Sequence, residues 1–575
     1  MKKLLRYFKG YGKECLLGPL FKLFEATLEL IVPLVVAAII DNGIATGNKS
    51  YTVKAALFLA LLGAVGLVFS VTAQFFAAKA SVGFATRLRR ALFKKVGELS
   101  YSDIDRVGTS TMITRMTTDA TQVQSGTNLA LRLLLRSPFV VFGAMIIAFT
   151  VDTKAATVFA VTIPLLMVVV FGIMLISIPL YKKVQSRLDR LLSATRENIS
   201  GVRVLRAFCK EEDEIGEFSR RNDSLTAAQK FVGRISNLMN PLTYVIINLA
   251  TLFLIYTGAV RVEMGELSQG EVVALYNYMA QILVELVKFA SLIISITKAL
   301  ASAGRIATVL EITPSMANGS LAYAEARGKT DEILRFSSVG LRYEGAGEPS
   351  VSGISFSVKA GETVGIIGGT GSGKSSLVNL IPRFYDATEG EILLWGKNIR
   401  EYDTESLRDA VGIVPQKAVL FAGSIRDNLR WGNKSATDGE MYDALKTAQA
   451  LQVVEDKGGL EGTVEAGGRN LSGGQRQRLT IARALVKRPD ILILDDSASA
   501  LDFATDAALR KALREDVKDS TVFIVSQRAS SIMYADKIIV LEDGEAIAMG
   551  SHEELLASCP LYGEIYHTQF SGGDR

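Results

Sequence analysis

Eight residues, GGTGSGKS at positions 368–375, have the spacing of a loop that wraps around phosphate groups. The glycines let backbone N–H groups turn towards an anion, and the start of the helical run that follows favours negative charge. The apolar residues 363–367 come before the loop as a strand, which is the context that such a loop requires. We therefore predict nucleotide contacts from Gly368, Gly369, Thr370, Gly371, Ser372, Gly373, Lys374, Ser375 and Ser376.

Two side chains of this loop have distinct predicted roles. Lys374 should contact the β- and γ-phosphates, and the hydroxyl of Ser375 should ligate Mg²⁺. A second element, ILILDD at positions 491–496, is an apolar strand that ends on Asp495, where a carboxylate can hold the Mg²⁺ shell. Together, the two elements predict a site for a magnesium-bound nucleotide.

A third motif is more specific. Positions 471–475 read LSGGQ, which is the signature of ABC ATPases, and the other motifs follow in the order of that family. Tyr343 resembles the aromatic residue that stacks on adenine, and Gln416 in VGIVPQ resembles the Q-loop glutamine. Asp502 in SALD resembles the D-loop aspartate. The signature residues are Leu471, Ser472, Gly473, Gly474 and Gln475.

The resemblance covers essentially the whole chain and implies a half-transporter of the type IV ABC exporter fold. Two ATPase domains of this family associate head to tail, so that each ATP lies between the P-loop of one chain and the signature of the other. The resemblance implies ATP and Mg²⁺ as cofactors, with Ser375, Gln416 and Asp495 around the metal.

Two positions depart from the family pattern. Asp496 stands where a glutamate normally acts as the general base, and Gln527 in IVSQRASS stands where a histidine normally contacts the γ-phosphate. Aspartate is one methylene shorter, and misplacing a catalytic group costs about 10²-fold in rate. Glutamine donates hydrogen bonds but has no titratable proton. We expect a degenerate site on this P-loop; the alternative is that Asp496 is a competent base.

The intact signature suggests that this chain completes an active site on another chain. This pairing resembles one half of the bacterial heterodimeric exporters, many of them multidrug exporters, whose partner supplies the consensus catalytic residues. The sequence leaves two other interpretations open: a homodimer with two slow sites, and a nucleotide-gated sensor or channel subunit. The expected substrates are amphipathic drugs, lipids or peptides, and the sequence does not distinguish among them.

The composition independently indicates a membrane part. The chain has 575 residues, of which 49% are hydrophobic and 21% charged, and its mean hydropathy is +0.27. A bilayer-spanning helix needs about 20 apolar residues. Six such stretches occur, near residues 16–40, 52–78, 129–150, 155–180, 242–262 and 270–296.

Lys and Arg crowd the long connections 81–128 and 181–234, which places these connections in the cytoplasm. We expect them to be helical extensions of the spans, with turns at 101–109 and 207–214 that dock on ATPase domains. The basic residues flank apolar spans without interleaved aromatics, which argues against a nucleic-acid partner. The spans and the resemblance to bacterial exporters together imply a location in a bacterial cytoplasmic membrane, in contact with lipid and with the ATPase domain in the cytoplasm.

The expected fold class is a helical six-span domain fused to a C-terminal α/β nucleotide-binding domain. We place the membrane domain at 1–314, a linker at 315–330 and the ATPase domain at 331–575. In the ATPase domain, short β runs alternate with helical segments. The predicted strands lie at 333–336, 354–358, 363–367, 391–394, 411–414, 491–494, 521–525 and 537–541.

Charged residues within the spans need an explanation. Glu25 and Glu29 lie on one face of the first span, one turn after Lys22. They either give the substrate cavity a negative surface or pair with Lys22 or a neighbouring helix. Four others, which lie towards cytoplasmic ends of spans, are expected to snorkel to the interface: Arg132, Arg136, Glu285 and Lys288.

Overall fold

The computed structural model describes residues 2–570, which form two compact units. Unit 1 contains the residues up to Gly97 together with Ser110–Ile312. Unit 2 contains Glu98–Thr109 and the residues from Thr313 onwards. The break after Ile312 lies next to the predicted boundary at 314. The segment Glu98–Thr109, expected as a cytoplasmic turn of the membrane domain, packs with the ATPase domain.

Six helices of the described chain are long and apolar enough to cross a membrane. They extend well beyond the predicted spans, so the long basic connections are helical, as predicted. Two short helices separate them: α3 (Tyr101–Val107) and α6 (Val202–Ala207). The six long helices are α1 (Gly12–Ile44), α2 (Lys49–Glu98), α4 (Thr109–Val151), α5 (Thr153–Ser200), α7 (Glu211–Glu263) and α8 (Gln269–Glu311).

Small side chains bring the helices of unit 1 close together. Ala26, Ala144 and Ala274 are completely buried and pack around the large side chains of Phe159 and Tyr278. Such close backbone approach is how helices associate where lipid gives no hydrophobic driving force. The hydroxyl of Tyr278 donates to the backbone oxygen of Leu30 at 2.6 Å, which satisfies its polar atom in the interior.

The intramembrane charges form pairs. Lys22 Nζ lies 2.5 Å from Glu25, and Arg136 lies 2.5 Å from Glu29 and 2.7 Å from Glu285. The expectation that Arg136 and Glu285 snorkel is therefore wrong, because both are buried and face one another between helices α4 and α8. Glu285 also accepts from Ser137 Oγ at 2.9 Å. The pairs favour the structural interpretation of Glu25 and Glu29.

Unit 2 contains three sheets. The largest has the order β12-β11-β3-β10-β9-β6, in which β12 alone runs antiparallel to its neighbour. A four-stranded antiparallel sheet has the order β2-β1-β4-β5, and β7 pairs with β8. The strands are β1 (Glu332–Leu341), β2 (Val351–Lys359), β3 (Thr363–Gly368), β4 (Glu389–Leu394), β5 (Lys397–Asn398), β6 (Val411–Val414), β7 (Gly423–Ser424), β8 (Thr463–Val464), β9 (Ile491–Asp495), β10 (Thr521–Val525), β11 (Lys537–Glu542) and β12 (Glu545–Gly550).

Helices cover the parallel sheet, as burial of parallel strands on both faces requires. Residues 315–330, predicted as a linker, pack onto the unit, since Tyr323 and Ala326 belong to its core. The helices are α9 (Tyr323–Ala326), α10 (Lys374–Val378), α11 (Thr404–Ala410), α12 (Ile425–Arg430), α13 (Asp438–Thr447), α14 (Leu451–Asp456), α15 (Gly473–Val486), α16 (Phe503–Asp516), α17 (Ala529–Ile532), α18 (His552–Ser558) and α19 (Pro560–Phe570). The predicted fold class is confirmed.

Candidate functional site

The phosphate-binding loop leaves the buried strand β3 and enters helix α10. Gly371 and Gly373 have φ values of +87° and +90°, a conformation that costs glycine least. A Cβ atom at Gly373 would lie 2.4 Å from the backbone oxygen of Ser350, so this position also lacks space for a side chain. Lys374 Nζ donates to the backbone oxygens of Gly368 at 2.9 Å and Gly369 at 2.5 Å, which holds the loop closed around its ammonium group.

The metal-binding side chains predicted from two distant segments are brought together. Ser375 Oγ donates to Asp495 Oδ1 at 3.0 Å, across 120 positions of sequence. Burial raises the pKa of Asp495, while the Ser375 hydrogen bond opposes that shift and the neighbouring Asp496 adds to it. Burial lowers the pKa of Lys374, and the two aspartates oppose this. Bound Mg²⁺ would relieve the cost of keeping two carboxylates charged here.

The residues present fit a magnesium ion by their chemistry. Hydroxyl, carboxylate and amide oxygens, from Ser375, Asp495 and Gln416, line one cavity, and hard oxygen donors suit Mg²⁺. Gln416 Nε2 lies 3.3 Å from Asp496 Oδ2, so its amide oxygen is left for another partner.

The two residues that depart from the family pattern, Asp496 and Gln527, line the same cavity. Asp496 has a φ of +45°, a left-handed conformation that costs a non-glycine residue about 1–3 kcal/mol. Its N–H donates to the backbone oxygen of Val525 at 3.0 Å, which ties it to the end of β10. Gln527 follows β10 and also lines the cavity. The position of a base and the position of a γ-phosphate contact therefore both face the loop that carries Lys374.

Tyr343 follows strand β1 and lies beside the loop. Its hydroxyl donates to Ser376 Oγ at 3.0 Å, and its ring meets the ring of Tyr385 edge-on at 5.0 Å. The position is compatible with the predicted stacking on adenine, which remains a prediction.

The signature residues lie outside the cavity. Ser472 caps helix α15: its hydroxyl accepts from the N–H of Gln475 at 3.2 Å, and the Gln475 side chain accepts from the N–H of Ser472 at 2.9 Å. Asp502 caps α16 and accepts from Thr505 N at 2.8 Å. Ser472, Gly473 and Asp502 are exposed. These three residues can therefore contact another molecule, whereas they do not line the P-loop cavity of their own chain.

The cavity measures about 220 Å³ and is lined by most of the residues that were predicted to contact the nucleotide. The sequence did not predict Ser350 and Val525, because neither belongs to a motif. Ser350 lies in the turn before β2, and Val525 is the last residue of β10. The lining comprises Ser350, Thr370, Gly371, Ser372, Gly373, Lys374, Ser375, Ser376, Gln416, Asp495, Asp496, Val525 and Gln527.

Comparison with known families agrees with this geometry. Residues 15–286 match the model of the ABC transporter transmembrane region, and residues 351–499 match the ABC transporter model. The second match contains the phosphate-binding loop, Gln416, the signature and Asp495. The ATPase model implies ATP binding and hydrolysis.

Similar proteins extend over the whole chain. An ABC transporter ATP-binding protein of Mycobacterium tuberculosis is 35% identical, covering 98% of this chain and 97% of the relative. One from Bacillus subtilis is 34% identical, covering 99% of each chain. The ATP-dependent lipid A-core flippase of Hahella chejuensis is 30% identical over 100% of both.

A solved structure has the same fold. The structure of a bacterial Atm1-family ABC exporter with ATP bound superposes with a TM-score of 0.81 at 24% identity, covering 97% of this chain and 99% of that one. The six apolar helices and the C-terminal ATPase domain confirm the predicted multi-pass membrane localisation. The chain therefore belongs to the ABC transporter family, as an exporter-type half-transporter with its membrane helices and ATPase domain in one polypeptide.

Proposed function

We propose that this chain is the degenerate-site subunit of a heterodimeric exporter that uses MgATP to move amphipathic substrates outward across the cytoplasmic membrane. The observation that carries the proposal is that Asp496 and Gln527 share one cavity with an intact phosphate-binding loop. The site keeps the groups that bind a nucleotide and lacks the glutamate and histidine that its family uses for hydrolysis.

Each residue has a role in binding. Lys374 and the loop N–H groups hold the phosphates, and Tyr343 stacks on the base. Ser375, Gln416 and Asp495 hold Mg²⁺, which neutralises phosphate charge when bound. Gln527 donates to the γ-phosphate, and Asp496 is a short and therefore weak base towards the attacking water.

The partner is a second half-transporter with consensus catalytic residues. The N-terminus of α15, where Ser472 and Gly473 are exposed and Gly474 is half-buried, supports this pairing, because backbone N–H groups there suit a γ-phosphate held by another chain. Closure of the two ATPase domains on ATP supplies the free energy that reorients the membrane helices, and hydrolysis at the partner's site resets them.

A cavity within unit 1 supports amphipathic substrates. It measures about 460 Å³ and combines apolar side chains with charged and amide groups. The relative named as a lipid A-core flippase supports a lipid as one member of this class. The lining residues are Glu29, Val32, Pro33, Val36, Asn277, Ala280, Gln281, Val284, Glu285 and Lys288.

The test uses inside-out vesicles that contain this chain, its cognate half-transporter, or both. We expect ATP-dependent accumulation of a fluorescent phospholipid or a fluorescent amphipathic dye when both chains are present. Replacing the partner's catalytic glutamate with glutamine should abolish accumulation. Equal transport by this chain alone would establish a homodimer. ATP binding by the pair without accumulation of either probe would favour the nucleotide-gated sensor.

A further inference from the structure

One side chain of the C-terminal helix α19 holds the backbone next to the nucleotide cavity. Gln569 Nε2 donates to the backbone oxygen of Gln527 at 2.8 Å, and Gln569 Oε1 accepts from the N–H of Ala529 at 2.8 Å. The two bonds fix the orientation of the amide, because turning it over would place donor against donor and acceptor against acceptor. The Gln569 amide therefore bridges the backbone on both sides of Arg528.

The helix that presents Gln569 is anchored near its start. Tyr562, one of its residues, is completely buried and belongs to the same apolar cluster as Ala529 and Ile532 of helix α17. The hydroxyl of Tyr562 also shares a hydrogen bond of 2.7 Å with His552 Nδ1. A side chain carried by a packed helix holds its target more precisely than one carried by a loop.

The residue before Gln527, which directly follows strand β10, is fixed as well. Ser526 donates its N–H to the backbone oxygen of Ile366 at 3.0 Å, and its hydroxyl accepts from the N–H of Arg528 at 2.9 Å. The backbone of Gln527 is thus held between strand β3 and helix α19, at a position that lines the cavity.

We propose that Gln569 is a positioning residue that fixes the backbone of Gln527 and thereby directs the Gln527 amide towards the γ-phosphate. Gln569 itself does not line the cavity and acts through Gln527. This inference rests on the proposed contact between Gln527 and the γ-phosphate.

The test compares ATP and ADP affinities of the purified full-length chain, since only ATP carries the γ-phosphate. Gln569→Ala should weaken ATP binding about three- to tenfold and leave ADP binding within about twofold. In a Gln527→Ala background, Gln569→Ala should cause no further change in the ATP-to-ADP ratio, because the two residues act as one unit. Thr568→Ala, an exposed position on the same turn, is the matched control.

Gln569→Glu provides a second variant, because it retains an acceptor for Ala529 and loses the donor to Gln527. It should shift the ratio of ATP affinity to ADP affinity in the same direction. This variant therefore tests the proposal even where Gln569→Ala purifies poorly. Equal losses of ATP and ADP affinity, or additive effects with Gln527→Ala, would overturn the proposal in favour of a structural role. If Gln527→Ala alters the ratio and neither Gln569 variant does, only this inference fails. An unaltered ratio in Gln527→Ala removes the proposed γ-phosphate contact and this inference with it.

Discussion

The hydroxyl of Tyr385 donates a hydrogen bond of 2.7 Å to Asp105 Oδ2, across 280 positions of the sequence. Asp105 lies on helix α3, which packs within the ATPase unit, and Tyr101 of the same helix packs against Phe384 at 4.6 Å. The ring of Tyr385 also contacts Tyr343, which bonds to Ser376 at the phosphate-binding loop. Helix α3, which lies in the turn predicted to dock on an ATPase domain, is thus connected to the nucleotide site through a series of side-chain contacts.

Tyr385→Phe should lower the amount of substrate transported per ATP hydrolysed. The phenyl ring preserves the contact with Tyr343, so ATP affinity should stay within about twofold, whereas the bond to Asp105 is lost. The measurement is transport and ATPase activity of the same reconstituted complex. Asp105→Ala should have the same effect, and the double variant should be no worse than either change. A loss of ATP affinity with unchanged coupling would contradict this prediction.

Ser472→Ala should reduce the ATPase activity of the complex about tenfold or more, because it removes a group from the partner's active site. Lys374→Ala should leave a substantial fraction of the activity, since it affects only the degenerate site. Ser551→Ala is the matched control, as Ser551 caps helix α18 in the same way without belonging to the signature. Equal losses from Ser472→Ala and Lys374→Ala would show that the two sites are equivalent.

Restoring the family residues should create a second active site. Asp496→Glu combined with Gln527→His should raise turnover at this P-loop about tenfold or more, and each change alone should do much less. The measurement uses a complex whose partner carries glutamine in place of its catalytic glutamate, so that activity comes from this site. High turnover by the unmodified chain in that complex would show that Asp496 is already a competent base.

Removing Glu285 should destabilise the membrane domain strongly. Arg136 would keep its ion pair with Glu29 but lose the buried carboxylate of Glu285. Breaking a buried ion pair costs about 3–5 kcal/mol. Glu285→Ala should therefore lower the thermal unfolding temperature in nanodiscs. Lys288→Ala, which removes a half-exposed partner of Glu285, is the control and should have a small effect. If Glu285→Ala is as stable as the control, the pair does not hold helices α4 and α8 together.

The turn after helix α6 should contact the ATPase domain of the partner. Cys209 lies in this turn and is exposed, so the natural thiol serves as the probe. Oxidation should cross-link it to a cysteine placed on the partner's ATPase domain, as read by non-reducing electrophoresis. Cys209→Ser is the control. Cross-links confined to a single chain would show that this turn contacts the ATPase domain of its own chain instead.

Local patterns in the sequence determined most of the nucleotide site. The residues 368–375 and 471–475 are contiguous, and their chemistry depends on spacing within one turn or loop, which a sequence displays directly. All eight predicted strands are present, although β1 and β2 extend several residues beyond their predicted ranges. Four strands were missed: β5, β7 and β8 have only two residues each, and β12 alternates between exposed and half-buried residues at the sheet edge, which gives a weak apolar signal.

Tertiary structure decided which distant side chains meet. The sequence by itself placed Arg136 and Glu285 on separate spans and suggested that each would snorkel, whereas helix packing buries them as a pair. In the same way, Gln569 has no motif, and nothing in its neighbourhood of sequence connects it with Gln527. The physical reason is that burial of a charge or an amide is stabilised by partners that the fold supplies, and those partners lie far away along the chain.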